Sequence, residues 1–286
     1  MRNSPLVIAA DIGGSHITVA AVDTSTWQVV NDSVVRSKVD SHADAESILT
    51  TWALPFREAI SRQVATDSTI TIGIAIPGPF DYENGISRMR NQDKYDHLYG
   101  MDIRQELAER IGVNGSDIHF INDAAAFLQG EISAGNQDST GKILGITLGT
   151  GLGSAVWEPD GNAVDADLWK TPYRESIMEE YLATRWFVRQ AAQHGITVSG
   201  LRELLELRDK HTVIEDILAG YSHHLLHFIR LFSEQEGTDK LIIGGNISKA
   251  WEVFRTFDST AFGRFDIRIS RLGEHAALIG AAAQHI

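Results

Sequence analysis

Residues 144–156 (LGITLGTGLGSAV) repeat the pattern of residues 8–20 (IAADIGGSHITVA), with Gly149 standing 136 positions after Gly13. Each copy is an apolar strand, a glycine turn and a returning apolar strand. Solenoids and propellers repeat roughly every 20 to 50 residues, whereas a recurrence at domain-sized spacing means that a whole unit has been duplicated. A chain of 286 residues has room for two such units. Two like lobes are therefore expected, with their glycine turns lining one cleft.

Composition narrows the function classes. With 43% hydrophobic and 22% charged residues, the chain has the apolar mass for a sizeable core. Its net charge is −13, from 38 acidic against 25 basic residues, so its overall field repels phosphate backbones and anionic lipid. Neither nucleic acid nor a membrane surface is an expected partner, and an anionic small molecule needs a local positive site. There are no cysteines, which excludes disulfides, thiolate nucleophiles, iron–sulfur clusters and cysteine-containing zinc sites. No apolar run approaches the roughly 18 residues of a membrane span. The stretch from Met1 to Ala10 is too short for a secretory signal and runs straight into Asp11, so a cytoplasmic protein is expected.

Residues 6–12 read as a buried strand ending at Gly13-Gly14, with Ile17, Val19 and Ala21 on the returning strand. Residues 27–35 read as a third strand and 42–65 as helical, with Pro55 starting a second segment where its missing N–H does no harm. Residues 70–76 form another strand, stopped by Pro77-Gly78-Pro79. Asp102 caps a helix running to about Arg110, residues 118–121 are a short strand, and Asp123 opens a helix through Ser133. In the second half, residues 175–192, 201–207 and 213–232 keep helical spacing. Residues 241–243 are a buried strand ending in Gly244-Gly245, and Asn246 is placed to cap the next helix. Ala276, Ala277, Gly280, Ala281, Ala282 and Ala283 belong to a C-terminal helix suited to close packing between lobes.

Three glycine turns thus follow strands, at residues 11–15, 148–153 and 244–246. Glycine brings backbone N–H groups close to a ligand, so such turns form anion-binding concavities even in an acidic protein. Taken singly, each is an ordinary hairpin turn; three together, two of them duplicates, point to a phosphate site. The competing nucleotide motifs fail on spacing. No G-x-x-x-x-G-K-[ST] is present, and Gly149, Gly151 and Gly153 make G-x-G-x-G before a strand, where the dinucleotide fingerprint needs G-x-G-x-x-G before a helix.

Seven segments in order, DIGGS at 11–15, IPGP at 76–79, NDA at 122–124, GE at 130–131, LGTGLG at 148–153, GGNIS at 244–248 and LGEHAALIGAA at 272–282, resemble the ROK family of bacterial sugar kinases, repressors and open reading frames. The resemblance spans essentially the whole chain. It implies an α/β chain with the actin-like ATPase (ribonuclease H-like), hexokinase-type fold: two duplicated lobes around a central cleft where ATP and a sugar meet. A smaller N-terminal lobe of residues 1–121 plus 275–286 and a larger C-terminal lobe of 122–274 are expected.

Asp123 is the candidate catalytic base. A sugar hydroxyl is a poor nucleophile until its proton is accepted, and phosphoryl transfer is otherwise mostly positioning and charge neutralisation. A carboxylate opening a helix is by itself only stabilised by the helix dipole; the match to the family's Asn-Asp pair gives it the catalytic reading. By the same resemblance Asn122 and Asn91 would bind sugar hydroxyls, Gly78 would shape the pocket and Glu131 would support it. Asp11 would hold Mg²⁺ through water, in the manner of an ion that keeps most of its hydration shell. Gly13, Gly14, Ser15, Gly149, Thr150 and Gly151 would contact the ATP phosphates, and Gly244, Gly245 and Asn246 the adenosine.

The chain also departs from the family pattern. ROK kinases usually carry Glu-x-Gly-His followed by a cysteine-rich zinc loop ending in Gly-Cys-Leu-Glu, and neither element is present. No structural zinc is expected. Residues 176–181 (SIMEEY) resemble the end of that loop, with Ile177 where the last cysteine would stand and Glu179 on the family's second sugar glutamate. Asp165, Asp167 and Tyr173 are the nearby candidates to replace the missing histidine. Of His223, His224 and His227, the first and last stand at i and i+4 on one helix face, as paired metal ligands do, yet no carboxylate pattern completes a site, so a polar helix face is expected.

The expected function is ATP-dependent phosphorylation of a hydroxyl of a hexose or hexose derivative. The alternatives are a catalytically silent sugar-binding sensor of the same fold, or a kinase for a non-hexose polyol. ROK repressors place a DNA-binding helical domain before the first strand, where here about five residues precede Leu6. A small-molecule sugar is the expected partner, and a homodimer is what the family suggests.

Overall fold

The computed structural model describes residues 6–63, 70–91, 94–135, 140–159 and 161–284. Residues 1–5, the end of the expected helix at 64–65 and the end of the expected first lobe at 285–286 lie outside them. The chain forms two compact units, Met1–Asn136 with Glu274–Ile286, and Gln137–Gly273.

The first unit opens with β1 (Leu6–Ile12) and β2 (His16–Asp23), an antiparallel pair in which Leu6 faces Asp23 and Ile12 faces Ile17. β3 (Gln28–Val29) and β4 (Val35–Lys38) pair with β2. The single strand expected over 27–35 is broken here. Residues 31–33 form a 3₁₀ turn, and the buried Ser33 hydroxyl accepts the Ala21 N–H at 2.7 Å, taking a place in the ladder that a strand residue would fill. Helix α1 (Ala45–Gln63) runs continuously through Pro55 rather than restarting there. Trp52 and Phe56, on either side of the proline, are fully buried, and that packing carries the helix across the missing hydrogen bond.

β5 (Ile72–Ile76) runs parallel to β1, with Asp11 beside Ala75, and is buried on both faces, so it contains no polar residue. A small hairpin of β6 (Phe80–Asp81) and β7 (Ile86–Ser87) leads to α2 (Ile103–Ile111), which Asp102 caps by accepting the Gln105 N–H at 2.9 Å. β8 (Ile118–Asn122) pairs parallel with β5, and α3 (Asp123–Ser133) begins without a connecting loop.

The second unit repeats the plan. β9 (Ile143–Leu148) and β10 (Leu152–Trp157) form the antiparallel hairpin, extended by β11 (Val164–Asp165). Where one helix is expected over 175–192, the chain instead makes a tight hairpin of β12 (Pro172–Tyr173) and β13 (Ser176–Ile177), then two helices, α4 (Glu179–Leu182) and α5 (Thr184–Gln193). Ala183 between them is extended, which lets Thr184 turn back to the glycine turn after β9. α6 (Leu201–Glu206) and α7 (Val213–Glu236) follow, and α7 buries Tyr221, Leu225, Phe228, Ile229 and Phe232 along one face. β14 (Lys240–Gly244) lies parallel to β9, α8 (Trp251–Thr256) packs against α7 and α9 (Ser259–Phe262) against α8, and β15 (Asp266–Ile269) closes the sheet. The strand orders β2-β1-β5-β8 and β10-β9-β14-β15 correspond one to one, so the duplication read from residues 8–20 and 144–156 extends to the sheets.

Helix α10 (Ala276–Ala283) returns to the first unit. Its small residues serve packing within that unit. A Cβ on Gly280 would lie 1.7 Å from the Ala126 carbonyl oxygen, one on Gly130 2.0 Å from that of Ala276, and one on Gly73 2.1 Å from that of Ala281. Backbone thus meets backbone at α3 and β5. Helix α3, expected in the second lobe, therefore belongs with the first unit.

Candidate active site

Asp11 faces Thr18 on β2, and Thr18 faces Arg36 on β4, so the aspartate and the guanidinium share a row across the sheet. Burial foremost, then the Asp123 carboxylate, push the Asp11 acid up to about 7, with Arg36 pulling the other way and Glu274 adding to the rise. Three carboxylates thus oppose one guanidinium, itself 3.4 Å from Glu274, an excess of negative charge that favours a nearby cation although the three do not gather into a direct metal-binding group. An oxygen-only donor set is the kind that suits Mg²⁺.

Asn122 closes β8 and caps α3. Its Oδ1 accepts the N–H groups of Ala124 at 2.8 Å and Ala125 at 3.1 Å, and its Nδ2 donates to the Tyr82 hydroxyl at 3.2 Å. A Cβ on Gly78 would lie 3.3 Å from that same hydroxyl, so Gly78, Tyr82 and Asn122 form one cluster. Asp123 is the first helical residue and is exposed, with Oδ1 accepting the Ala124 N–H at 2.9 Å. Glu131 is fully buried two turns farther along α3, about 12 Å down the helix axis, and so lies behind Asp123. Asn91 is exposed in a left-handed backbone conformation, and its N–H donates to the Asp96 carboxylate at 3.1 Å.

The first glycine turn is fastened by its neighbours. Gly13 N–H donates to the His16 carbonyl at 2.9 Å, the Tyr95 hydroxyl donates to the Gly13 carbonyl at 2.5 Å, and the Val39 N–H donates to the Ser15 carbonyl at 2.9 Å. The Ser15 hydroxyl pairs with His16 Nδ1 at 2.9 Å. Lys94 passes beside Gly14, its Cδ 3.8 Å from where a Cβ would stand, and supplies a positive charge there.

In the second unit, Gly149 N–H donates to the Gly151 carbonyl at 3.1 Å. The Thr184 N–H and hydroxyl both donate to the Gly149 carbonyl at 2.8 Å, and Arg185 Nη1 donates to the Thr150 carbonyl at 3.3 Å. Glu179 accepts the Leu152 N–H at 3.0 Å on one oxygen and Arg185 Nη2 at 2.6 Å on the other. Burial works against the Arg185 charge, but Glu179 and Glu180 outweigh it and hold the guanidinium above its usual range. Gly244 is buried at the end of β14, beside Thr147. Gly245 has φ +85°, and a Cβ there would lie 2.2 Å from the Leu148 carbonyl oxygen, so only glycine fits. Asn246 does not cap the following turn. Its backbone is already helical, and its side chain accepts from Lys249 Nζ at 2.9 Å.

Around Tyr173, where the resemblance would put a zinc loop, an aromatic cluster stands. The Tyr173 hydroxyl lies 3.0 Å from His224 Nδ1, and its ring stacks on His227 at 4.8 Å and meets Tyr181 edge-on at 5.0 Å. Trp186 meets His224 edge-on at 5.5 Å. His224 is thus buried, and only part of the histidine face expected to be polar is so. Asp165 accepts the Asp167 N–H at 2.8 Å and Asp167 pairs with Lys170. Among the described residues no group of three or more His, Asp or Glu could hold a metal ion.

Tyr82, Lys94, Tyr95, Thr184 and Arg185 were not singled out in the sequence. Tyr95 reaches Gly13 across 82 positions, and no local pattern marks it. For Thr184 and Arg185, their closeness to the SIMEEY match was the available signal.

The sequence model of the ROK family matches residues 7–162, more than half of the chain. The chain belongs to the ROK family. The glucokinase of Thermotoga maritima is 25% identical over an alignment covering 97% of this chain and 96% of that protein. Among solved structures, the inorganic polyphosphate/ATP-glucomannokinase of Arthrobacter sp. strain KM superposes with a TM-score of 0.74 at 24% identity, covering 98% of this chain and 97% of the other. The ROK glucokinase of Streptomyces griseus, solved with glucose and AMPPNP, gives 0.75 at 21%, covering 97% and 98%. This ROK chain has the actin-like ATPase fold of those proteins. Among its described residues no helix is long and apolar enough to cross a membrane.

Proposed function

We propose that this ROK protein is an ATP-dependent sugar kinase that phosphorylates a hydroxyl of a hexose or hexose derivative. The observation that carries the reading is the pairing of an exposed carboxylate at the start of α3, Asp123, with a second carboxylate, Asp11, close enough to raise its affinity for a proton. Sugar-kinase relatives of the same fold support it.

Asp123 accepts the proton of the attacking hydroxyl, and its exposure at a helix N-terminus leaves it reachable. Asn122, anchored to the cap and to Tyr82, has a fixed orientation for hydrogen bonding to the sugar, with Gly78 leaving room beside it. Asn91 contributes a further sugar contact and Glu131 supports α3 from behind. Asp11 would hold Mg²⁺ through water, and the ion when bound would supply positive charge to offset that of the phosphate oxygens. Gly13, Gly14, Ser15, Gly149, Thr150 and Gly151 hold phosphates, and Gly244, Gly245 and Asn246 hold adenosine. The enzyme works in the cytoplasm, where ATP is available, as a homodimer.

A coupled assay over a panel of hexoses, amino sugars and polyols tests this reading. Turnover with at least one sugar is expected, and Asp123→Asn is expected to lower kcat by about 10²–10⁴-fold. Sugar binding without turnover in the intact protein, or full activity in Asp123→Asn, overturns it.

A further inference from the structure

Phosphoryl transfer depends on positive charge placed around the phosphoryl oxygens, and this chain is acidic. Its net charge is −13, Asp123 and Glu274 both act on Asp11, and the guanidinium among them, Arg36, already faces Glu274 at 3.4 Å. The glycine turn that follows Asp11 nevertheless has a cation to spare. Lys94 is half-buried beside Gly14, its Cδ 3.8 Å from where a Cβ would stand, so its aliphatic stem lies along the turn and the ammonium group is two bonds farther on. Among the described residues no carboxylate pairs with it. An uncommitted ammonium next to two exposed turn residues, Gly14 and Ser15, equips the turn for an anion more strongly than glycine alone does.

The place of Lys94 is fixed by the residue after it. Tyr95 is buried with φ +59°, a left-handed conformation that a residue other than glycine keeps only where its surroundings hold it. The Tyr95 hydroxyl donates to the Gly13 carbonyl at 2.5 Å, its N–H donates to the Ser41 carbonyl at 2.8 Å, and its ring meets Trp52 edge-on at 5.1 Å. Tyr95 thus bonds to Gly13 while Lys94 lies against Gly14, so two consecutive residues are registered on two consecutive residues of the turn.

The neighbours decide which phosphate this ammonium meets. Asp123 raises the proton affinity of Asp11, two positions before Gly13, so the first turn is the one adjacent to the base. The phosphoryl group in transfer has to pass between the hydroxyl at that base and the nucleotide. Asn91, a sugar contact in the same reading, stands three positions before Lys94.

We propose that Lys94 is a catalytic residue whose ammonium group contacts the phosphoryl group in transfer. The proposal rests on the kinase reading above and adds to it a residue that supplies charge from the chain itself. The bond from the sugar oxygen to the γ-phosphorus forms as the bond to the bridging oxygen breaks, that electron pair leaves with ADP, and the hydroxyl proton goes to Asp123. Lys94 takes no part in the proton transfer and offsets the charge on the γ-oxygens.

The test compares kcat and KM in the unaltered protein, Lys94→Met, Lys94→Gln, Lys94→Arg and Lys38→Met, with calorimetry of AMPPNP and of ADP. Lys38, exposed and facing His16 across β2 and β4, controls for a general loss of positive charge. Both neutral variants at position 94 are expected to lower kcat about 10²-fold. They should weaken AMPPNP about tenfold while ADP affinity and the sugar KM stay within about twofold, because only the γ-phosphate loses its contact. Lys94→Arg is expected to recover about tenfold of the lost kcat, and Lys38→Met to stay within about twofold of the parent. Should Lys94→Met fail to fold, Lys94→Gln, which keeps a polar end, gives the same comparison. Unchanged kcat in the neutral variants, equal losses of ADP and AMPPNP affinity, or an equal loss in Lys38→Met overturns the assignment. If the unaltered protein neither binds AMPPNP nor turns over any sugar, the kinase reading falls and takes the assignment with it. If it does both and the neutral variants match it, only the assignment falls.

Discussion

The buried hydroxyl of Tyr95 donates to the carbonyl of Gly13 at 2.5 Å, tying the first glycine turn to a residue 82 positions away. Tyr95→Phe keeps the ring in place against Trp52, 5.1 Å away in an edge-on pair, and leaves the carbonyl without its partner. The expected cost is about 1–3 kcal/mol, or a fall in melting temperature of about 3 °C or more. Nucleotide affinity falls with it, since the loosened carbonyl is free to turn toward the phosphates. Thermal melts and AMPPNP calorimetry read both effects. A variant that melts and binds as the parent does would show that the bond holds nothing in place.

Asp11 is raised from 3.8 to about 7, with burial and then Asp123 as the main causes. The folded state therefore holds the proton more tightly than the unfolded chain, and stability falls as pH rises through that interval, the full cost being present above about 7. Asp11→Asn removes the cost. The variant is expected to melt several degrees higher than the parent at pH 8 and to converge with it near pH 4, while losing Mg²⁺-dependent turnover. Equal melting temperatures at pH 8 would remove the electrostatic account of this site.

Gly149 and Gly245 make opposite predictions. Nothing stands within 4 Å of a Cβ at Gly149 and its φ is not positive, whereas at Gly245 the backbone is left-handed and Leu148 O is 2.2 Å away. Gly245→Ala is expected to lose about 2–4 kcal/mol of stability through strain and overlap. Gly149→Ala is expected to melt within about 1 °C of the parent. Any rise in its KM for ATP then measures how closely a phosphate approaches that residue. A large loss of stability in Gly149→Ala would contradict the open space seen there.

His224, with burial as the main cause and Arg174, His223 and His227 adding, is pulled down from 6.5 to about 4. Its contribution to stability is complete above about pH 6.5 and is lost as pH falls toward 4, because the unfolded chain takes up the proton first. The melting temperature is expected to drop between pH 7 and pH 5. His224→Asn, which cannot charge, is expected to show a smaller drop, measured by differential scanning calorimetry. An equal drop in both proteins would place the acid sensitivity elsewhere.

What the sequence revealed and what it hid divide along one physical line. The glycine turns, the strands beside them and the opening of α3 at Asp123 are written locally, in apolar runs and the residues that interrupt them, and they were legible. The fastening of the turns by Tyr95, Thr184 and Arg185 depends on side chains meeting distant carbonyls, which no periodicity records. The breaks in the expected elements have the same origin. Ser33 bonding to Ala21 ends a strand, and Thr184 turning back to Gly149 divides a helix, each drawn by a partner far along the chain. Pro55 errs the other way, because buried neighbours override a local helix breaker.

Helix α10 follows the whole second unit in the chain, yet it lies against α3, β1 and β5 of the first. During synthesis the ribosome therefore releases every residue of the second unit before the first can be finished. The vectorial order lets the later-encoded unit fold first, while β1 and β5 wait with the surface that α10 will cover still exposed to solvent and to chaperones.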